Sequence, residues 1–508
     1  MLPQGEVAET HSSRGHAALL AGIALLATMA RLWGISAESL WLDEATSLML
    51  ARLSVPDLVA WTAVDIHPPL YYTLLHYWIL LGQNETVVRG LSALAGVLTV
   101  LVIYGLGRAW FGQRAGLIAA ALLAVNPYHV WYSQEARMYA LVALLMGAAV
   151  LAAFHLWESG SRWAWAAHVL ATAAAWYTHY YAVFGILLVN LMFAYLLVRR
   201  RVDRRLLWRW IAAQAAILVL FAPWLPTFLL PITVGGGGWL TAGGGRPGLR
   251  AIPETVVLYM VSTGRALYPV WVRRLGYVLV LGLASLGVWW GARRRAPGAL
   301  SRRVSEREAT LFCLVYLALP LGLTWGVSQI FKPMYSARYM LPFLLPLLLL
   351  VARGIAGVPV RWLRWGALAG ASVLMAIGVG LQVRLADKPD WRGLAAQITA
   401  EAQPGDLVVF MPGWHAKPFA YYAGDAVAQF DGIPIPVSRY PQEAPKALAQ
   451  AIAGHPRVWF VWEEGHYTDP EGIIYRYLAE HCREMESRPF ALVGRVILFA
   501  NPAALGGG

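Results

Sequence analysis

Acidic and basic side chains recur beside the apolar spans of this sequence, in short stretches that also hold aromatic residues. The stretch WLDEATS contains Asp43 and Glu44, and the stretch DIHPPLYY contains Asp65 and His67. A carboxylate in such a place can take a proton from a hydroxyl group, and a basic side chain can hold an anionic group such as a phosphate. These stretches are therefore candidates for proton transfer beside an anionic ligand.

Two further stretches place charged residues and tyrosines at the start of later apolar spans. The stretch YSQEARMYA contains Glu135 and Arg137, and the stretch FKPMYSARYM contains Lys332 and Arg338. A basic side chain at the middle of a membrane costs about 2.5–3.5 kcal/mol on insertion scales, and less near the interface. Together with Glu135, the tyrosines of these four stretches are predicted to line a substrate pocket: Tyr71, Tyr72, Tyr132, Tyr139, Tyr335 and Tyr339.

Each of these residues also has a structural interpretation, which the sequence leaves open. Asp43 can cap the N-terminus of the helix that follows it. Arg137 and Arg338 can extend to lipid headgroups, and the tyrosines can form an interfacial belt. A second acid, Asp65, and the imidazole of His67 recur in the same loop as Asp43, which favours the chemical interpretation.

The composition indicates a protein that crosses a membrane several times. Of 508 residues, 58% are hydrophobic and only 14% are charged, whereas a typical soluble domain has about 25% charged residues. The net charge of +13 is carried by arginines that cluster between apolar spans, which indicates cytoplasmic loops and argues against nucleic acid as a partner. Cys313 and Cys482 offer neither a metal-binding spacing nor a disulfide framework.

Long apolar runs predict the transmembrane helices, each of which needs about 20 residues. The first run lacks a small-x-small cleavage site and is interpreted as a signal anchor. We predict eleven spans, within a range of eleven to thirteen: 17–34, 90–107, 115–130, 138–157, 163–180, 181–198, 207–229, 275–291, 309–328, 338–357 and 364–382.

The arginine-rich loops predict the orientation of these spans. The stretches 199–209 and 293–308 hold six arginines each, and a third basic loop surrounds Arg353 and Arg361. With eleven spans, all three fall on one side, which the positive-inside rule assigns to the cytoplasm. The opposite side then receives these segments: 35–89, 131–137, 230–274, 329–337 and everything after 383.

The chain is predicted to have a transmembrane module at 1–382 and an extracytoplasmic α/β domain at 383–508. Three runs in the second part are rich in β-branched and aromatic residues, which is typical of strands: 405–410, 457–462 and 491–500. The stretch 391–402 has the character of a helix, and about 125 residues suffice for one small domain.

Two segments of the outer side have particular predictions. The residues after Asp43 have helical spacing and predict an amphipathic helix on the membrane surface. The segment 230–274 contains the glycine runs 235–238 and 243–245, which predict a flexible loop. That loop is either a linker or a flap over an active site.

The outer side therefore combines acids in one loop with cations from several others. This combination suits a reaction between a membrane-bound phosphate ester and an acceptor hydroxyl group. Cations would hold the anionic leaving group, and a carboxylate would take the proton of the acceptor.

The patterns WLDEA, DIHPPLYY, YSQEARMYAL and ARYMLPF resemble the protein O-mannosyltransferase and aminoarabinose-transferase superfamily of GT-C glycosyltransferases. The resemblance covers residues 17–382, and the KPDWRGLAAQI stretch is similar to the extracytoplasmic tail of bacterial members. It implies a GT-C fold of eleven to thirteen spans and a sugar donor linked to a polyprenyl phosphate.

The resemblance also implies roles for individual residues. Asp43 matches the catalytic base of the family, Glu44 beside it would orient the loop, and Asp65 lies near the position of a second acid. These three are the predicted catalytic residues. His67 stands where relatives have a phosphate-contacting lysine. Lys332, together with Arg137 and Arg338, is assigned to the donor phosphate. No cofactor is predicted to be obligatory, with a divalent metal as the alternative.

The leading interpretation is an inverting, mannosyltransferase-like enzyme of the plasma membrane that acts on its extracytoplasmic face. Its partners would be a polyprenyl-phosphate sugar, membrane lipid and an acceptor protein, lipid or cell-envelope glycan. A lipid-linked sugar transporter or flippase is the alternative, although the sequence has no convincing internal repeat and its polar residues crowd one face. A third interpretation is a non-catalytic scaffold whose tail binds a partner.

Overall fold

The computed structural model describes residues 4–234, 245–261, 270–293, 303–331, 333–385 and 388–505. The chain divides into two compact units. The first unit comprises Met1–Ile35 and Leu53–Leu385, and the second comprises Ser36–Arg52 and Ala386–Gly508. The first part of the predicted outer loop thus belongs to the same unit as the C-terminal domain, and not to the transmembrane module.

The first unit is built of helices, and every predicted span coincides with a helical segment. Its helices are Gln4–Leu32, Val55–Thr62, Leu70–Trp78, Glu85–Phe111, Gln113–Ala124, Pro127–Ser133, Tyr139–Ser159, Arg162–Thr178, Ala182–Val198, Arg204–Phe221, Leu225–Val234, Ala251–Val261, Val270–Arg293, Glu306–Ile330, Leu344–Gly357 and Arg361–Arg384. Short 3₁₀ turns at Ile79–Leu81, Ala222–Trp224 and Ala337–Phe343 extend or join some of them.

Within the described residues, eight helical segments are long and apolar enough to cross a membrane. All eight correspond to predicted spans, and the protein is a multi-pass membrane protein. The predicted span 115–130 is interrupted, because Asn126 caps a new helix that starts at Pro127. A proline at the first position of a helix needs no hydrogen bond for its nitrogen, so the break at this point has little cost.

The arginine-rich loops meet at one end of the first unit. The guanidinium of Arg201 donates to the Glu308 carboxylate at 2.6 Å and to the Arg303 carbonyl at 2.7 Å. The guanidinium of Arg353 donates to Glu306 at 3.3 Å. Three basic loops that are far apart in sequence therefore share one side of the helical unit, as the positive-inside pattern requires.

The second unit contains a five-stranded sheet covered by helices. Strands β1 (Leu407–Met411), β2 (Ala428–Phe430), β3 (Arg457–Trp462), β4 (Arg483–Phe490) and β5 (Gly494–Ala500) are arranged in the order β2-β1-β3-β5-β4. The neighbours of β1 are parallel to it, and β5 is antiparallel to both β3 and β4. The helices are Trp391–Glu401, Ala416–Ala423, Glu443–Ile452, Ile473–His481 and Pro502–Leu505.

The helix predicted after Asp43 is present at Leu42–Arg52. It packs against the helix Ala416–Ala423 of its own unit, and its buried positions include Leu48, Leu50 and Ala51. The apolar face of this helix is therefore covered by protein, and its location at the membrane surface stays a prediction. The predicted flexible loop 230–274 was wrong in part, because the helix Ala251–Val261 lies within it. Its glycine runs lie largely outside the described residues.

Candidate active site

A short loop between two helices of the first unit brings Asp65 and His67 together. The Asp65 Oδ2 and His67 Nδ1 atoms are 3.4 Å apart, and the side chains are 25% and 8% exposed, respectively. Burial raises the pKa of Asp65, but the hydrogen bond and charge of His67, the Ile66 backbone and the charge of Arg137 outweigh it. The net effect is a lowered pKa, so the Asp65 carboxylate stays ionised beside two basic groups.

Arg137 lies inside the protein rather than at the lipid headgroups. It is only 4% exposed, and its guanidinium donates to the Tyr72 hydroxyl at 3.2 Å. The Ser92 hydroxyl donates to the Arg137 carbonyl at 3.0 Å and is 2.9 Å from the Tyr71 hydroxyl. The backbone and the guanidinium of Arg137 are thus held by residues of two other helices. Arg137 is therefore a buried cation beside the DIHPPLYY stretch.

Aromatic rings surround a histidine that the sequence analysis did not select. His179 lies in the turn between the helices Arg162–Thr178 and Ala182–Val198, and it is 5% exposed. Its ring centroid is 4.8 Å from that of Tyr339, 5.1 Å from Tyr181, 6.0 Å from His67 and 6.4 Å from Tyr139. Four segments that are distant in sequence therefore meet at His179.

Positive charges converge on the same histidine. The His67 ring lies 6.0 Å from that of His179. The guanidiniums of Arg137 and Arg338 lie 6.0 Å and 5.5 Å from the ring centroids of Tyr139 and Tyr339, which are neighbours of His179. The backbone N–H of Tyr181 donates to Nδ1 of His179 at 3.1 Å. Because Nδ1 accepts this bond, the proton of the neutral ring is on Nε2, where it can be donated to an anion.

The remaining predicted residues of the first unit fall into two groups. Glu135 is buried, with its carbonyl accepting from the Arg137 N–H at 2.7 Å, and the Tyr132 ring lies 5.2 Å from that of Tyr139. Burial raises the pKa of Tyr132, and neighbouring groups such as Glu135 raise it further. Both residues therefore adjoin the ring cluster.

Tyr335 makes its contacts with another helix. Its hydroxyl donates to the Ala251 carbonyl at 3.1 Å and is 2.7 Å from the Thr255 hydroxyl. These bonds attach Tyr335 to the helix Ala251–Val261. Lys332 lies outside the described residues, so its predicted role is left as a prediction.

Asp43 and Glu44 belong to the second unit, in the first turn of the helix Leu42–Arg52. Asp43 does not cap this helix, because the helix starts one residue earlier. Glu44 instead accepts the Trp41 N–H at 3.5 Å, and its carboxylate pairs with Lys388 at 3.1 Å. The Asp43 carbonyl accepts the Ser47 hydroxyl at 2.9 Å.

Two residues that the sequence analysis did not assign to the site, His179 and Lys388, make contacts with predicted site residues. His179 is part of the stretch WYTHYY, which is rich in polar aromatic side chains although it separates two apolar helices. That composition is a signal that sequence reasoning can use. Lys388 begins the KPDWRGLAAQI stretch, but its pairing with Glu44 had no signal in the sequence, because the two residues are far apart in the chain.

Within the described residues, no group of three or more His, Cys, Asp or Glu side chains is able to hold a metal ion. The prediction that no cofactor is obligatory rests on the sequence resemblance alone. It stays a prediction.

Comparison with known proteins gives one family match. Residues 66–226 match the family described as dolichyl-phosphate-mannose-protein mannosyltransferase. This range contains His67, Arg137 and His179, and it starts directly after Asp65. No curated protein matches the sequence at a significant level.

Two solved structures share the fold along most of the chain. ArnT from Cupriavidus metallidurans, bound to undecaprenyl phosphate, has a TM-score of 0.63 at 15% identity and covers 97% of this chain and 99% of its own. The oligosaccharyltransferase AglB from Archaeoglobus fulgidus, in complex with an inhibitory peptide and a dolichol-phosphate, has a TM-score of 0.56 at 15% identity and covers 96% and 74%. The chain thus shares the fold of ArnT and AglB along most of its length, and about a third of it, residues 66–226, matches the mannosyltransferase family.

Proposed function

We propose that the protein transfers a sugar from a polyprenyl phosphate to an acceptor hydroxyl group, on the extracytoplasmic face of the plasma membrane. The observation that carries this proposal is the arrangement of His67, Arg137 and Arg338 around His179 and its neighbouring tyrosine rings. Buried and half-buried basic groups with polar aromatic neighbours suit an anionic group attached to a sugar. The GT-C fold and the family match are consistent with it.

The donor phosphate is assigned to the cations of the first unit. Arg137 would offer its fixed guanidinium, His179 its Nε2 proton, and Arg338 a second guanidinium, with Lys332 as a further predicted contact. Preorganised donors of this kind stabilise the charge that develops on a leaving phosphate. Tyr72, which already holds Arg137, and Tyr339 would border the sugar.

Asp43 is assigned as the base. In the transfer step, the acceptor oxygen forms a bond to C1 of the sugar while the bond from C1 to the phosphate oxygen breaks. The acceptor proton passes to the Asp43 carboxylate, and the polyprenyl phosphate leaves with the bonding electron pair. A single displacement of this kind inverts the configuration at C1. The phosphate leaves already charged, so the step does not require a general acid.

Similar proteins support the choice of donor class. The description of the matching family names dolichyl-phosphate-mannose, and the similar structures hold undecaprenyl phosphate or dolichol-phosphate. Mannose is therefore the first sugar to test and aminoarabinose the second. The AglB structure also holds an inhibitory peptide, which supports including a Ser/Thr peptide among the acceptors, beside lipids and envelope glycans.

The extracytoplasmic location is supported by charge. Arg201, Arg303 and Arg353 mark one end of the helical unit, which the positive-inside rule assigns to the cytoplasm. The DIHPPLYY stretch and the C-terminal domain then lie on the opposite side. Labelling of introduced cysteines with a membrane-impermeant reagent in whole cells tests this orientation directly.

The first test measures turnover by the purified protein in nanodiscs. Radiolabelled polyprenyl-phosphate mannose and polyprenyl-phosphate aminoarabinose are offered to the wild type and to Asp43→Asn. We expect release or transfer of sugar by the wild type and a loss of at least about 10³-fold in kcat for Asp43→Asn. Donor affinity should change little, because the amide keeps the shape of the carboxylate but cannot accept the proton.

A matched control is Asp57→Asn, because Asp57 is an exposed acid in the first turn of the next helix, Val55–Thr62. This variant should retain wild-type turnover. Wild-type kcat in Asp43→Asn would refute the assignment of the base. If the wild type moved a lipid-linked sugar across the membrane of liposomes without releasing the sugar from its lipid, the protein would be a flippase and not a transferase.

A further inference from the structure

A buried ion pair connects the start of the chain's second unit with its C-terminal part. The Glu44 side chain is fully buried, the Lys388 side chain is 7% exposed, and Nζ lies 3.1 Å from Oε2. A buried carboxylate is stable only when it has a counter-ion and hydrogen bonds. Glu44 has both, since it also accepts the Trp41 N–H at the start of the helix.

The residues on both sides of this pair are joined as well. The Ser39 hydroxyl donates to Oδ1 of Asp390 at 3.0 Å and accepts the Arg392 N–H at 3.1 Å. The Lys388 N–H donates to the Glu38 carboxylate at 3.1 Å. The Asp390 carboxylate also caps the helix Trp391–Glu401. The extended segment before the Asp43 helix is therefore fixed to the start of a regular helix.

Two adjacent tyrosines of the helix Ala416–Ala423 complete the contact. The Tyr422 hydroxyl accepts the Leu40 N–H at 2.7 Å. The Arg52 guanidinium, at the far end of the Asp43 helix, lies 6.0 Å from the centroid of the Tyr421 ring. Both ends of the segment 38–52 are thus in contact with the C-terminal part of the unit.

We propose that residues 388–392, the KPDWR stretch, are a positioning element for the proposed base Asp43, with Lys388 as the counter-ion that holds its neighbour Glu44. The inference rests on the proposed function and gives the C-terminal domain a role in it. Asp43 is the neighbour of Glu44 in the chain. The ion pair of the Glu44 side chain and the hydrogen bond of the Trp41 N–H therefore fix the backbone on both sides of Asp43, whose carboxylate takes the proton.

The expected consequence is a loss of turnover without a loss of donor binding. A catalytic group that moves by about 1 Å can lose roughly 100-fold in rate. Lys388→Met removes the counter-ion and leaves the Glu44 carboxylate buried without it. Lys388→Arg keeps a cation at this position and should restore most of the activity.

The experiment uses the full-length protein in nanodiscs and has two readouts. Hydrogen–deuterium exchange reports the protection of the amides of residues 42–52, and steady-state kinetics reports kcat and the donor KM. For Lys388→Met we expect faster exchange in 42–52 and a fall of about 100-fold in kcat, with the donor KM within about twofold of wild type. Lys446→Met, at an exposed lysine of the same unit, is the matched control and should change neither readout.

Three outcomes would overturn the inference. Unchanged exchange in 42–52 would show that Lys388 does not hold this helix, and unchanged kcat despite faster exchange would show that the contact has no catalytic role. A fall in kcat with unchanged exchange would mean that Lys388 acts directly. The exchange measurement needs no substrate, so it remains decisive even when the wild type turns over no donor and the proposed function fails.

The double variant Glu44→Gln/Lys388→Met keeps the test valid when the single variant does not fold. It removes both charges, so no unpaired carboxylate is left in the protein interior. Strands β1 and β3 should keep native exchange rates in this variant, while residues 42–52 exchange faster. Native exchange at 42–52 in the double variant would also overturn the inference.

Discussion

In the proposed donor site, His179 would act as a neutral side chain beside two arginines. Two guanidiniums and an imidazole act on it, and burial in an aromatic shell opposes a further charge. The bond from the Tyr181 N–H fixes the tautomer, so the ring can donate from Nε2 without becoming charged. An uncharged donor adds a hydrogen bond to the phosphate without adding repulsion between cations.

The prediction for this residue separates hydrogen bonding from packing. His179→Phe keeps an aromatic ring but removes the donor, and we expect the donor KM to rise about tenfold or more, the worth of one hydrogen bond to a charged group. His179→Gln keeps an amide donor near the position of Nε2 and should retain most of the affinity. Steady-state kinetics with the radiolabelled donor measures both.

The control for this prediction is His155→Phe, at an exposed histidine of the helix Tyr139–Ser159. It tests for a general effect of exchanging an imidazole for a phenyl ring and should leave the donor KM unchanged. If His179→Phe also left the donor KM unchanged, His179 would have no part in holding the phosphate.

At the residue scale, sequence reasoning succeeded where partners are neighbours in the chain. Asp65 and His67 are two positions apart, and their contact follows from local spacing. The meeting of His67, Arg137 and Arg338 at His179 depends on how four helices pack. Periodicity in one helix carries no information on that packing, so the set of cations was predictable but its centre was not.

At the scale of elements, a buried arginine of the first helix joins it to a helix break. Arg31 donates to the Ala124 carbonyl at 3.0 Å and to the Leu123 carbonyl at 3.2 Å. These carbonyls lie at the end of the helix Gln113–Ala124, before the new helix at Pro127, and the Leu123 carbonyl also accepts the Asn126 N–H at 3.3 Å. The same guanidinium also donates to Nδ1 of His129 at 2.9 Å. The Arg31 side chain thus donates hydrogen bonds to carbonyl groups at the end of an interrupted helix inside the protein.

Removing this side chain should destabilise the first unit. Arg31→Met removes the hydrogen bond to the Ala124 carbonyl in the protein interior, at a cost of about 1–3 kcal/mol, so we expect the apparent Tm to fall by roughly 2 °C or more. Thermal unfolding in detergent, followed by size-exclusion chromatography, measures the shift. Arg114→Met, at an exposed arginine of the helix Gln113–Ala124, is the control, and an equal fall in both variants would contradict a specific role for Arg31.

Helices were more predictable than strands because their signal is longer. A span of about 20 apolar residues is unmistakable, and every predicted span has a helix. In the C-terminal domain, β1, β3 and β5 were predicted because they are buried and apolar. Strand β4 was missed because it lies at the sheet edge with mostly exposed polar residues, and β2 was missed because it has only three residues.

At the scale of the whole molecule, the proposed functions are divided between the two units. The cations assigned to the donor phosphate and their tyrosines belong to the first unit, whereas Asp43 and its anchoring residues belong to the second. The sequence did not predict this division, because residues 36–52 are separated from residues 386–508 by the whole helical unit. Assignment of a loop to a domain depends on long-range contacts, which no local pattern encodes.

The division predicts that donor binding and turnover can be separated. A chain that ends at Leu385 retains Arg137, His179 and Arg338 but lacks Lys388, Asp390 and Tyr422, which hold the segment before Asp43. We expect its donor affinity to stay within about threefold of wild type, while kcat falls at least about 100-fold because the base is no longer positioned.

Equilibrium binding of the radiolabelled donor to nanodiscs, beside the turnover assay, measures the two effects. Size-exclusion chromatography first selects truncated protein that is folded and monodisperse. Arg137→Ala in the same truncated chain is the matched variant, and it should lose donor binding because it removes a cation of the first unit. Turnover at the wild-type rate without residues 386–508 would show that the base works without its anchoring contacts. Loss of donor binding in the folded truncated chain would instead show that the first unit does not bind the phosphate alone.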